Sequence, residues 1–150
     1  MEHQYVFEEA PNPIVDVMLQ KVVKNKKKFD KYELTYDILR ICSLVSLGLY
    51  VLYILIFIVL PHHSFSGMIS AYLNISYQVY ALMVIIALFS TMKLYEKKKD
   101  KAEKEFHALR CEIIQKGPDL WATIAEWEKR YTLFKKIKDD YDINLFHENK

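Results

Sequence analysis

Charge is missing from the middle of this chain. Between positions 41 and 92 there is no Lys, Arg, Asp or Glu, although the full 150 residues carry 21 basic and 19 acidic side chains. Whole-chain averages, 52% hydrophobic with a net charge of +2, therefore hide regions of opposite character. Turn-formers are scarce as well. Three Gly and four Pro are too few for Gly-rich phosphate loops or for a β architecture with its many turns, which leaves an all-α chain. Cysteine is limited to Cys42, in apolar sequence, and Cys111, in charged sequence. That placement fits two reduced packing thiols better than a disulfide. A P-loop, a nucleophile elbow, an HExxH helix and paired CxxC motifs are all absent, so no catalytic residue, metal set or cofactor is expected. A cleavable leader is not expected either, because the first forty residues are polar and the first apolar run is too long for a signal h-region.

What is present is a pair of long apolar runs, 41–60 and 68–92, joined by Pro61-His62-His63-Ser64-Phe65-Ser66-Gly67. At about 1.5 Å per residue the first spans roughly 30 Å, the thickness of the bilayer hydrocarbon, and the second somewhat more. The pattern predicts a transmembrane hairpin with an external turn over 61–67. Lysines and arginines crowd both flanks, from Lys21 to Arg40 and from Lys93 to Arg110, and the turn has none. An excess of Lys and Arg marks cytoplasmic flanks, so both termini are expected in the cytoplasm of a multi-pass bacterial cytoplasmic membrane protein.

The flanks are too short to fold comfortably alone and should pack on each other or on a partner. Residues 1–13 carry Pro11 and Pro13 without helical period and read as a flexible lead-in. Over 14–40, Val15, Met18, Val22, Phe29, Tyr32 and Tyr36 keep the spacing of one helix face, either upright or lying flat in the membrane interface. Ala102, Phe106, Leu109 and Ile113 mark a face of a helix over 93–115. Gly117-Pro118-Asp119 then supplies a left-handed C′ glycine, a helix-stopping proline and an N-cap. A third, antiparallel helix over 119–141 carries the aromatic stripe Leu120, Ile124, Trp127, Tyr131, Phe134 and Tyr141, widened by Trp121 and Ile137. The tail 142–150 has no clear period. The expected architecture is a two-helix transmembrane hairpin on a cytoplasmic three-helix, coiled-coil-like stalk.

Three groups of residues are candidate sites. Tyr50 and Tyr53 in the first span, with Asn74 and Gln78 in the second, form an intramembrane polar face, with Tyr50 expected level with Gln78 and Tyr53 with Asn74. Such groups are usually helix glue and less often a pocket or an oligomer seam. Lys93, Lys97, Lys98 and Lys99 begin at the membrane edge, within about one 8 Å Debye length, and suit anionic-lipid contact. Leu120, Trp121, Ile124, Trp127, Tyr131 and Phe134 serve as stalk core or as a docking face for a membrane or cytoplasmic protein. The lack of any charge in the spans argues against a proton-coupled carrier. The small net charge and interleaved acids argue against nucleic acid. Glu103, His107 and Cys111 share a helix side at a spacing of four residues, yet without further ligands a solvated or partner-facing stripe is the better reading.

The closing segment, with Trp121, Trp127, Arg130, Phe134, Lys138 and then Tyr141-Asp142-Ile143-Asn144-Leu145-Phe146-His147-Glu148, resembles the end of the YpbF-type proteins, small two-span membrane proteins of spore-forming Gram-positive bacteria. The resemblance implies a bacterial cytoplasmic membrane and a non-catalytic role, and it transfers no functional residue. The sequence thus leads to a non-enzymatic membrane protein whose stalk binds or positions a protein partner. A small channel or transporter accessory subunit, acting as a homo-oligomer, is the alternative.

Overall fold

A computed structural model describes Ala10 and residues 13–147. The lead-in expected over 1–13 and the last three residues of the tail thus lie largely outside the described residues. The elements in order are α1 (Pro13–Ile54), a π-helical turn (Leu55–Val59), α2 (Phe65–Leu73), α3 (Gln78–Gln115), α4 (Gly117–Leu120) and α5 (Ile124–Tyr141). The fold is all-α, with no strand among the described residues. Two compact units divide it: Met1–Tyr32 with Lys99–Lys150, and Glu33–Lys98.

The first unit is built around a single apolar core. Val15, Leu19, Val22 and Val23 come from α1, Phe106 and Ile113 from α3, Trp121 from the segment after α4, and Leu133, Phe134 and Ile137 from α5. Ile143 and Leu145, beyond the last helix, complete it. Each such side chain contributes about 1.5–3 kcal/mol by leaving water. The aromatic rings meet edge to face, Trp121 on Phe134 at 5.3 Å and Phe134 on Phe146 at 5.7 Å between centroids. Ion pairs on the rim are exposed, as between Lys28 and Glu105 at 3.2 Å, and contribute at most about 1 kcal/mol each.

Local chemistry sets the boundaries of α5. The Thr123 hydroxyl accepts from the Glu126 N–H at 3.3 Å, while the Glu126 carboxylate accepts from the Thr123 N–H at 3.1 Å, which is a capping box. Asp142, in the left-handed region at φ 55°, ends the helix. That reversal turns Ile143 and Leu145 back into the core, and the Asn144 side chain accepts from the Phe146 N–H at 3.0 Å. Arg110 on α3 donates to the His147 carbonyl at 3.0 Å and ties this tail down.

The expected third helix over 119–141 therefore starts later. Asp119 lies inside the four-residue α4, and the cap is Thr123. Gly117 has no positive φ, contrary to its expected left-handed role, and it opens α4. An added Cβ there would lie 3.0 Å from Arg130 Nη1, the far end of a flexible side chain. Pro118 suits a helix start as well as a stop, since its fixed φ fits the first turn.

The second unit holds the apolar sequence. α1 runs without a cap into the π turn, where the Leu60 N–H reaches the Leu55 carbonyl at 3.0 Å, five residues back. His62 Nδ1 donates to the Ile58 carbonyl at 2.9 Å. Ser64 caps α2 by accepting from the Gly67 N–H at 3.1 Å, so helix begins inside the expected turn 61–67. The second apolar run is not one helix. α2 ends at Leu73, residues 74–77 leave the helical ladder, and α3 begins at Gln78. Asn74 and Ser76 offer local side-chain alternatives to helical bonding, a weaker signal than Gly or Pro and easily missed.

Candidate functional site

Two helical stretches are long and apolar enough to cross a membrane, Pro13–Val59 and Gln78–Gln115. Their most apolar windows are only 11% and 17% buried, whereas core helices of soluble proteins are mostly buried. Leu44, Leu49, Val51 and Leu52 on one side, with Val79, Met83, Val84 and Ile86 on the other, stand exposed.

Few polar groups turn inward in this unit. Ser43 is buried and donates to the Leu39 carbonyl at 2.7 Å, an ordinary helix-internal bond. Tyr50 and Tyr72 join hydroxyl to hydroxyl at 3.1 Å, and the Tyr53 ring lies 5.1 Å from that of Phe57. Tyr50, expected level with Gln78, thus has Tyr72 as its hydrogen-bond partner. A simple hairpin count across the turn misses both the π turn and the interruption at 74–77. Asn74 is exposed, whereas Gln78 is 3% exposed. Gln78 Nε2 is buried and has no acceptor among the described residues. An unmet buried donor costs about 1–3 kcal/mol, so Gln78 stands out.

The lysines at the edge behave differently from one another. Lys93 contacts Glu96 at 2.7 Å, and that carboxylate holds the ammonium above the usual lysine range. Lys98 lies 4.8 Å from the Tyr95 ring. Lys97 is exposed, and Lys99 is half-buried and engaged.

In the first unit the aromatic stripe splits into two faces. Trp121 and Phe134 are buried and Leu120 is half-buried, but Ile124, Tyr131 and Trp127 are 83%, 63% and 43% exposed. Within α5 the core is made by Leu133, Phe134 and Ile137. The exposed face carries a cation. The Arg130 guanidinium lies 3.7 Å from the Trp127 ring centroid and 5.2 Å from that of Phe134. Partial burial draws its pKa below the ordinary arginine value without removing its charge. No carboxylate pairs with it among the described residues.

Sequence reasoning missed Leu19, Val23, Leu133, Ile143 and Leu145 as core. Only the alternation of Ile143 and Leu145 after Asp142 hinted that the tail is structured. Glu103 and His107 approach at 3.7 Å, and no group of three or more His, Cys, Asp or Glu suited to a metal occurs among the described residues. Cys42 and Cys111 are free thiols.

The molecule is thus an all-α protein in which two apolar, largely exposed helices accompany a charged helical unit with its own core. It belongs to the family described as "Protein of unknown function (DUF2663)", whose model matches residues 18–148. It is 36% identical over 144 residues to the uncharacterized protein YpbF of Bacillus subtilis (strain 168), covering 96% of this chain and 93% of that protein. No solved structure matches the chain.

Proposed function

We propose that this is a non-enzymatic, two-span protein of the bacterial cytoplasmic membrane whose charged helical unit binds or positions a protein partner on the cytoplasmic side. The membrane reading is supported by apolar helices that stay exposed and by the placement of Lys and Arg on both flanks. The observation that carries the partner reading is the exposed face of α5. Ile124, Trp127 and Tyr131 remain outside a core that Leu133, Phe134 and Ile137 already fill, and Arg130 sits on Trp127 with no carboxylate paired to it among the described residues. Aromatic and arginine anchors of this kind dominate interface energetics. The non-enzymatic reading rests on a sequence without a catalytic motif and on the lack of a converging acid, base and nucleophile among the described residues. Lys97 and its neighbours add anionic-lipid contact, and nothing in the charge pattern favours nucleic acid.

Affinity purification of the intact protein from membranes, alone and as the Trp127→Ala/Tyr131→Ala variant, tests this. A partner recovered with the parent and lost with a still-helical variant is the expected result; equal recovery would place the interface elsewhere. A second reading, a small channel or transporter accessory acting as a homo-oligomer, is favoured by the Tyr50–Tyr72 pair and buried Gln78. Loss of ion or solute flux in an Asn74→Leu/Gln78→Leu variant, with partner recovery intact, would favour it.

A further inference from the structure

Gln78 is buried in the apolar unit with a donor that the described residues leave unmet. It opens α3, is 3% exposed, and its Nε2 meets no acceptor among the described residues. A side chain in a first helical turn leans toward the N-terminus, so this amide lies toward the interruption at 74–77. Two further features converge there. The positive end of a 38-residue helix dipole begins at Gln78. The backbone has also left the regular ladder: the Ile75 N–H reaches the Tyr72 carbonyl at 3.4 Å and the Gln78 N–H reaches the Ile75 carbonyl at 3.1 Å, each three residues back. Interrupted backbone within a bilayer is tolerated where protein or water meets its polar groups. No side chain from 64 to 92 carries a full positive charge, which disfavours an anion at this site.

We propose that the interruption is a hydration site, in which water accepts from Gln78 Nε2 and donates to the carbonyls of Asn74 and Ser76, which accept no backbone N–H among the described residues. This rests on the membrane reading above. The site keeps a polar notch open within otherwise apolar sequence. Water fits because it is small, neutral and able both to accept and to donate, as buried waters with two to four partners do.

Thiol labelling of the full chain in lipid vesicles tests the inference. With Cys42→Ala and Cys111→Ala as background, single cysteines are introduced as His63→Cys in the turn, Ser76→Cys in the interruption and Met83→Cys on the exposed flank of α3. A charged methanethiosulfonate is present on both faces of the bilayer. H63C should label rapidly and M83C should be protected, with S76C within about tenfold of H63C because water reaches it. Adding Gln78→Leu should slow S76C about tenfold or more and leave H63C unchanged, while Gln78→Asn, which keeps the amide, restores labelling. Circular dichroism establishes that each variant stays helical. Protection of S76C equal to that of M83C, or no effect of Q78L in a helical variant, overturns the hydration site. If M83C labels as fast as H63C, the membrane reading itself fails, an outcome separate from a protected S76C.

Discussion

Phe134 and Ile124 share one helix and lie in opposite environments, 1% and 83% exposed. Phe134→Ala should cost about 3–5 kcal/mol, the usual range for a large core truncation. Ile124→Ala should stay within about 0.5 kcal/mol. Chemical unfolding of the intact protein in detergent measures both, and comparable losses would mean that the helix face is misassigned. The capping box adds a pH effect. The Thr123 hydroxyl and backbone hold the Glu126 carboxyl below its ordinary range. A depressed folded-state pKa contributes stability that is present above the ordinary glutamate value of about 4.3 and lost as pH falls through the folded value. In Thr123→Ala the melting temperature should fall at neutral pH and should lose part of its further decline in acid.

Elements were legible in the sequence where their signals were periodic or charged. The apolar runs, the core positions Val15 and Val22 of α1, and Phe106 and Ile113 of α3 follow from spacing alone. The phase of α5 did not, because Asp119 and Thr123 both look like caps and only the Glu126 partner separates them. The tail was hidden for a related reason: Asp142 stops a helix without ending ordered structure. The interruption at 74–77 carries neither Gly nor Pro, so spacing along an unbroken helix does not reveal it. At this scale Gly117→Ala provides a test. Its Cβ would press on the far end of the flexible Arg130 side chain, displacing the guanidinium from Trp127 at a cost of about 0.5–1 kcal/mol. In an Arg130→Ala background the same change should be near neutral, a coupling that a double-mutant cycle reads directly.

For the molecule as a whole, the order in which its parts are made differs from the order in which they meet. The core of the charged unit joins Val15 and Leu19 of α1 to Ile143 and Leu145 of the tail, with the apolar unit lying between them in sequence. Reporter fusions at either end should report the cytoplasm, and an external C-terminus would overturn the proposed orientation. Truncation before Ile143 should leave the apolar helices intact and expose the charged unit to proteolysis, visible as selective loss of its fragments. The Asp142 reversal thereby acquires a meaning in time. A ribosome delivers roughly 5–20 residues per second, so the apolar face of α1 waits several seconds after synthesis for the side chains that cover it. During that interval it is available to chaperones, to the bilayer surface or to another nascent copy, and the arrival of Ile143 and Leu145 decides when the interval closes.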